Sequence, residues 1–317
     1  MSARGGPTSV WVDGRIVAAG QAHLSAFDRG FMLGDGIFET LRVRAGRATE
    51  LTEHLDRLRR SADGLGIELP GGLEAMIEQA IEAVIHAEGL GGPGGDASLR
   101  ITVSRGAVAA RGLLPPDAGV SPTIVVQAWP VVPAPADHLE RGLHLVASSV
   151  RRDPENPLSS LKTTSRADYV FARLEARRSG ADDALFLTID GFISEATTAN
   201  LFLVRRGELA TPALACAVLP GTTRSWLLRW AVDVGLEPVE GWLTIGDLTG
   251  ADEAFVSSSV AGILPVTRFD GKPIGHGLPG PWTARARRDR EAFIRAGDAD
   301  AIGGAVGGGD GSTGIGR

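Results

Sequence analysis

The sequence predicts an α+β protein of two domains, and three observations carry that expectation. Nearly alternating apolar runs are joined by tight Asp-Gly and Gly-Lys turns, which favours antiparallel or mixed sheets over a doubly wound parallel fold. Stretches of helical apolar spacing are interspersed among those runs rather than alternating regularly with them. Between the two halves, PVVPAPADH (130–138) is proline-punctuated, carries no periodic pattern and reads as a linker. The expected division is a small α+β domain at 1–129, the linker at 130–138, a larger β-rich domain with flanking helices at 139–298, and a glycine-rich disordered tail at 299–317.

The elements follow in order. SVWVDGRIVAA (9–19) is a hairpin around Asp13-Gly14, and GIFETLRVRAGRATEL (36–51) is a second, turning at Ala45-Gly46. A helix follows with Thr52 as its N-cap, since Leu51, Leu55, Leu58 and Ala62 repeat at helical spacing. Residues 72–88 form another helix, and SLRITVSRG (98–106) and TIVVQAW (123–129) form strands. Beyond the linker, LHLVASSV, ALFLTI, FISE, NLFLV and AFVSSSV are strands. Helices are expected at 166–179, 222–234 and 282–296. GLGGPGGD (89–96) reads as a flexible loop.

Composition narrows the function classes. The chain has 317 residues, 43% of them hydrophobic, with a net charge of −6. A negative chain whose arginines are scattered does not suit a nucleic-acid partner. Cys216 is the lone cysteine, so no intrachain disulfide is possible and a reducing compartment fits. MSARGGPTSVWVDG lacks the apolar core of a signal peptide, and no run is apolar enough to span a membrane. A cytoplasmic protein is expected. The six histidines form no metal-ligand spacing, so no metal is expected.

Against this background Lys162 stands out. It and Lys272 are the only lysines in a chain that carries its positive charge as arginine. Lys162 lies between Leu161 and two threonines. An amine beside apolar residues loses solvation of its charged form, and its neutral form attacks carbonyl carbon. A solvated lysine at a strand end is the ordinary alternative. Glu195, at the end of a short strand, can oppose a protonated pyridine nitrogen, or it can simply face solvent. Gly221, Thr222 and Thr223 open a helix and offer an anion its N–H groups. Ser257, Ser258 and Ser259 form a second candidate nest. Taken alone, a capping or turn role is the more ordinary reading of each. Arg57 can fork onto a phosphate, or join Arg59 and Arg60 on a solvated basic face. An amine, a carboxylate, an arginine and two hydroxyl-rich nests together match the needs of pyridoxal 5′-phosphate.

At these residues the chain resembles the class IV aminotransferases, the fold-type IV group of pyridoxal-phosphate enzymes. The likeness spans about residues 8–275. It rests on FDRGFMLGDGIFETLRV, LTEHLDRLRRSA, LRITVSRG, the stretch from LKTTSRADYV to ATTANLFLV, LPGTTR and ADEAFVSSSVAGILPV, in that order. The resemblance implies that Lys162 is the Schiff-base lysine and Glu195 the partner of the pyridine nitrogen. It implies that Arg57, Gly221, Thr222, Thr223, Ser258 and Ser259 surround the phosphate, and that Leu219 packs on the ring. It also implies a larger domain of β-barrel type, a cofactor between the domains, a small amino substrate and a homodimer.

Three departures point away from a branched-chain substrate. Arg166 and Ala167 stand where branched-chain members carry a tyrosine, and a helix from about 166 would turn Tyr169 elsewhere. Thr40 replaces a glycine, and SSSVAG replaces a TGTAA-like segment. Thr40, the pattern KTTSR and the doubled Arg-Gly loop resemble the aminodeoxychorismate lyases. In that loop Arg105 and Arg111 are expected to meet a substrate carboxylate, unless the loop is merely exposed. The leading expectation is therefore lyase chemistry giving 4-aminobenzoate and pyruvate. The alternative is a transaminase moving an amino group from a D-amino acid, an (R)-amine or a branched-chain amino acid to a 2-oxo acid. A non-catalytic binding protein would have lost the lysine or the carboxylate, and both are present.

Overall fold

A computed structural model describes residues 6–117 and 119–304, with side chains described through residue 296. The N-terminal half is a six-stranded antiparallel sheet backed by two helices. Strands β1 (Ser9–Val12) and β2 (Arg15–Ala18) form the first hairpin, with Asp13 at φ 44° and Gly14 at φ 93°. A short helix α1 (Arg29–Leu33) leads to β3 (Gly36–Arg44), which turns through Ala45-Gly46 into β4 (Arg47–Ala48). Helices α2 (Leu51–Leu65) and α3 (Leu73–Ala87) follow, then β5 (Asp96–Ser104) and β6 (Thr123–Pro130). The spatial order is β2-β1-β6-β5-β3-β4. Leu55, Leu58 and Ala62 of α2 and Ile77, Ile81 and Val84 of α3 bury against Ile37 and Leu41 of β3 and Leu99 and Ile101 of β5.

Thr52 is not the N-cap. Helix α2 begins at Leu51 after Glu50, which takes a left-handed φ of 54° and makes no side-chain cap. The Glu50 carboxylate is instead held by Arg290, some 240 residues later, a partner no local pattern announces.

Residues 131–135 leave β6, and the expected linker then forms a short helix, α4 (Ala136–Glu140). The second half runs β7 (Leu143–Arg152), α5 (Ala167–Arg178), β8 (Asp183–Thr188), β9 (Ile193–Ala196), β10 (Asn200–Arg205), β11 (Glu208–Pro212), α6 (Thr222–Asp233), β12 (Glu237–Gly241), α7 (Ile245–Thr249), β13 (Glu253–Ser258), β14 (Gly262–Phe269), β15 (Lys272–Pro273) and α8 (Pro281–Gly304). The mixed sheet is ordered β12-β11-β10-β13-β14-β7-β8-β9, with β15 paired to β14. It curls on itself: β9 returns against β10 through a tight turn in which the Ala196 N–H donates to the Ala199 carbonyl.

Strands β11, β12 and β14 extend the expected set. Each contains a proline (Pro212, Pro238, Pro265), which removes a ladder donor and reads in sequence as a break. Pro238 is harmless in an end strand, and the register of β14 shifts just after Pro265. Helix α8 continues to Gly304, into the segment expected to be a disordered tail; the rest of that segment lies outside the described residues.

Candidate active site

The two sheets enclose a cavity of about 460 Å³, within the roughly 300–1,000 Å³ of small-molecule sites. Lys162 reaches it from an extended segment clamped beside β3. The Phe38 N–H donates to the Lys162 carbonyl (3.0 Å), the Thr164 N–H to the Gly36 carbonyl (2.8 Å), and the Lys162 N–H to Ser61 Oγ (3.1 Å). Lys162 Nζ lies 4.7 Å from the centre of the Phe38 ring, and no hydrogen-bond partner for it stands among the described residues. Burial, then the positive charges of Arg57 and Arg166, outweigh Glu39 and Glu195 and bring the amine down to about 8.

Glu195 faces the same cavity from β9 and is buried. The Leu219 N–H donates to its Oε2 (3.1 Å), as does Asn200 Nδ2 (3.3 Å), while Arg152 Nη2 stands 3.7 Å from Oε1. Burial raises its carboxyl, and the charge of Arg152 and the Leu219 hydrogen bond offset this only in part. Asn200 also donates to the Leu219 carbonyl (3.0 Å), tying the carboxylate to the LPG turn. Gly221 is required there, because a Cβ would sit 2.1 Å from Asn200 Oδ1.

At the other end of the cavity, α6 begins at Thr222 after Gly221. Its first N–H groups have no partner within the helix. Thr222 Oγ1 lies 3.2 Å from Ser259 Oγ, in the turn after β13. Ser257 Oγ is buried without a partner among the described residues. Arg57 lines the cavity but does not present an open fork: its Nε and Nη2 donate to Glu39 (2.7 and 2.6 Å) and its Nη1 to the Pro220 carbonyl (3.0 Å). Thr40, Leu219, Gly221, Thr223 and Ser258 also line the wall.

Arg105 and Arg111 are not brought to this cavity. Arg105 donates to Asp35 (2.8 Å) and to the carbonyls of Leu65 (2.6 Å) and Gly66 (2.5 Å), bracing the start of β3 against the end of α2. Arg111 is exposed. Tyr169 does not line the cavity either; its hydroxyl meets Arg152 at 2.5 Å, behind Glu195.

Arg100 lines the cavity and was not singled out from the sequence. Its guanidinium lies 3.8 Å over the Phe38 ring, and its Nε donates to Thr102 (3.1 Å). Arg166 lies over the Tyr169 ring and donates to the Thr197 carbonyl (3.2 Å). No carboxylate pairs with either among the described residues. Burial, then Arg166, lowers Arg100. The signal was available: Leu99, Ile101 and Val103 alternate inward, which puts Arg100 on the opposite face, across from Thr40.

Residues 36–269 match the family model for amino-transferase class IV. The chain belongs to the class IV aminotransferases. It is 36% identical over 279 residues to a Methanocaldococcus jannaschii protein named "Putative branched-chain-amino-acid aminotransferase", covering 88% of this chain and 93% of that one. Among solved structures, the branched-chain amino acid aminotransferase of Escherichia coli superposes with a TM-score of 0.83 at 29% identity, covering 91% and 94% of the two chains. The 4-amino-4-deoxychorismate lyase of Pseudomonas aeruginosa superposes at 0.75 with 32% identity, covering 88% and 97%. The fold is that of the fold-type IV aminotransferases.

The family's cofactor is pyridoxal 5′-phosphate, and the cavity of this aminotransferase fits it. A further branched-chain aminotransferase structure, at a TM-score of 0.81 and 29% identity, is complexed with N-(5′-phosphopyridoxyl)-L-glutamate. In the present chain, an amine without a hydrogen-bond partner, a buried carboxylate lacking a full cationic partner and an orphaned serine hydroxyl are groups such a molecule satisfies. The vacant N–H groups of α6 suit its phosphate.

Proposed function

We propose that this chain is a transaminase that moves an amino group between an amino acid and a 2-oxo acid carrying a second carboxylate, such as 2-oxoglutarate. The observation that carries the reading is the pair of guanidinium groups, Arg100 and Arg166, which line the cavity with Lys162 and have no carboxylate of their own among the described residues. A half-buried cation without an anion favours a ligand that brings one. The relatives named above as aminotransferases support amino transfer. The Arg-Gly loop gives lyase chemistry no support, since Arg105 is engaged elsewhere and Arg111 is exposed. An (R)-amine without a carboxylate would leave both guanidiniums unmatched.

In this reading Lys162 holds the cofactor's aldehyde and, once released, moves the proton at the substrate's Cα. Glu195 faces the ring nitrogen, whose positive charge would favour its ionised form; Leu219 and Asn200 fix its orientation. Thr222, Thr223, Ser258, Ser259 and the α6 N–H groups hold the phosphate, with the remaining donor capacity of Arg57. Bound pyridoxal 5′-phosphate supplies an electron-withdrawing protonated ring that acidifies the Cα. Leu219 and Phe38 exclude water around it.

The reading includes a homodimer. Phe31, Met32, Leu113, Leu114, Val170 and Phe171 are exposed. They sit on segments bonded to one another and to the lysine segment: Arg29 Nη1 donates to the Gly112 carbonyl, and Thr164 Oγ1 to the Gly34 carbonyl. Apolar exposure on this scale calls for a partner surface.

The test offers L-leucine, D-alanine and (R)-1-phenylethylamine with 2-oxoglutarate, and aminodeoxychorismate alone. Glutamate formed from an amino acid donor is expected. Arg100→Leu should raise the KM for 2-oxoglutarate by about ten-fold or more, as loss of a charge-assisted hydrogen bond implies. Release of 4-aminobenzoate and pyruvate without amino transfer would reverse the assignment.

A further inference from the structure

His54 stands outside every role given above, yet it is fully buried between the sheet and the phosphate end of the cavity. Its Nδ1 lies 2.7 Å from Glu39 Oε2, and its Nε2 lies 3.4 Å from Thr222 Oγ1. Thr222 in turn touches Ser259. A continuous line therefore runs from β3 through α2 to the start of α6.

The charges along this line are arithmetically balanced without the histidine. Arg57 is matched by Glu39, which takes both arms of its fork. Burial would raise Glu39, but the hydrogen bonds and charge of Arg57, with His54 beside them, hold it at about 2. Arg290, which reaches Thr223 Oγ1 at 3.5 Å, is matched by Glu50. A phosphate of charge close to −2 therefore meets a cradle whose fixed arginines are already neutralised, with Lys162 the nearby amine.

The hydroxyl of Thr222 makes the same point. Glu39 Oε2, 2.7 Å away, accepts the proton of His54 Nδ1, and Arg57 Nη2 stands 3.4 Å from the same nitrogen. With Nε2 bare, Nε2 accepts from the Thr222 hydroxyl, whose lone pairs are then left for the phosphate. With Nε2 protonated, Nε2 donates to Thr222 Oγ1, and the hydroxyl hydrogen is free to point at a phosphate oxygen.

We infer that His54 is a positioning residue that takes up a proton when the cofactor's phosphate arrives, supplying the missing positive charge and turning Thr222 into a donor. Glu39 is its anchor. The inference rests on the reading of the α6 start as the phosphate end.

The experiment measures calorimetric binding of pyridoxamine 5′-phosphate and of pyridoxamine to cofactor-free protein. Neither carries an aldehyde, so Lys162 does not react. Buffers of different ionisation enthalpy at about pH 8, above the phosphate's second pKa of about 6, report the protons exchanged. The wild type should take up close to one proton per site with the phosphate ester and none with pyridoxamine. His54→Asn keeps a donor toward Glu39 but removes Nε2. It should lose the uptake and bind the ester about ten-fold more weakly, with pyridoxamine affinity changed by less than about two-fold. Wild type that prefers the ester but takes up no extra proton overturns the inference and leaves the phosphate reading standing. So does an Asn variant that retains the uptake or weakens both ligands alike. If the wild type does not prefer the ester, or Thr222→Val leaves that preference intact, the phosphate reading falls and the inference with it.

Discussion

Lys162 shows how a cavity creates reactivity at a single atom. Its backbone is fastened on both sides to β3 and by Ser61, so the side chain enters the cavity from a fixed origin. The amine is low because burial and two neighbouring guanidiniums penalise its charge more than Glu39 and Glu195 favour it. In cofactor-free protein, the rate of Lys162 acylation by a water-soluble reagent should climb with pH and level off above about 8, as the neutral fraction saturates; a climb continuing unbroken to pH 10 would contradict this reading. The stability sign follows. The folded value lies below the ordinary lysine value of 10.5, so the penalty is full below about 8. It is relieved as pH rises from there toward 10.5, where the unfolded chain binds more protons.

At the scale of elements, Arg105 belongs to the scaffold. Asp35, just before β3, accepts from both Arg29 and Arg105, and Arg105 also caps the last carbonyls of α2. Burial opposes ionisation of Asp35, yet the two arginines keep it lowered. Arg105→Ala should cost about 2 kcal/mol, read as a drop in Tm or in the urea midpoint. The KM for the amino donor should stay within about two-fold. A large rise in KM at unchanged stability would restore the substrate role that the Arg-Gly loop suggests in sequence.

The whole molecule is stapled across its two sheets. Arg290 of α8 pairs with Glu50 at the start of α2, and Arg42 of β3 with Glu291. The Arg57–Pro220 bond joins the two halves beside the cavity. The cavity exists because these contacts hold the Arg100 face of β3 and β5 opposite β9 and the α6 start. Sedimentation at micromolar protein should give twice the chain mass, and Leu113→Glu with Leu114→Glu should shift it toward monomer with reduced turnover. A wild type that sediments as a monomer would remove the dimer from the reading.

Local pattern singled out Lys162, Glu195, Thr222 and Ser259 as candidates, each with an ordinary alternative, and the structure brings all four to one cavity. Each sits in a short stretch whose spacing and turn chemistry announce it, and the order of those stretches carried the family. The hairpins at Asp13-Gly14 and Ala45-Gly46 and most helices were legible for the same reason. What the tertiary structure alone decided lies in contacts between residues far apart along the chain. The fork of Arg57 is turned onto Glu39, Arg105 braces a helix end, and Glu50 answers Arg290 instead of a cap. A side chain's type limits which bonds it can make. Which partner it finds depends on packing that brings distant segments together.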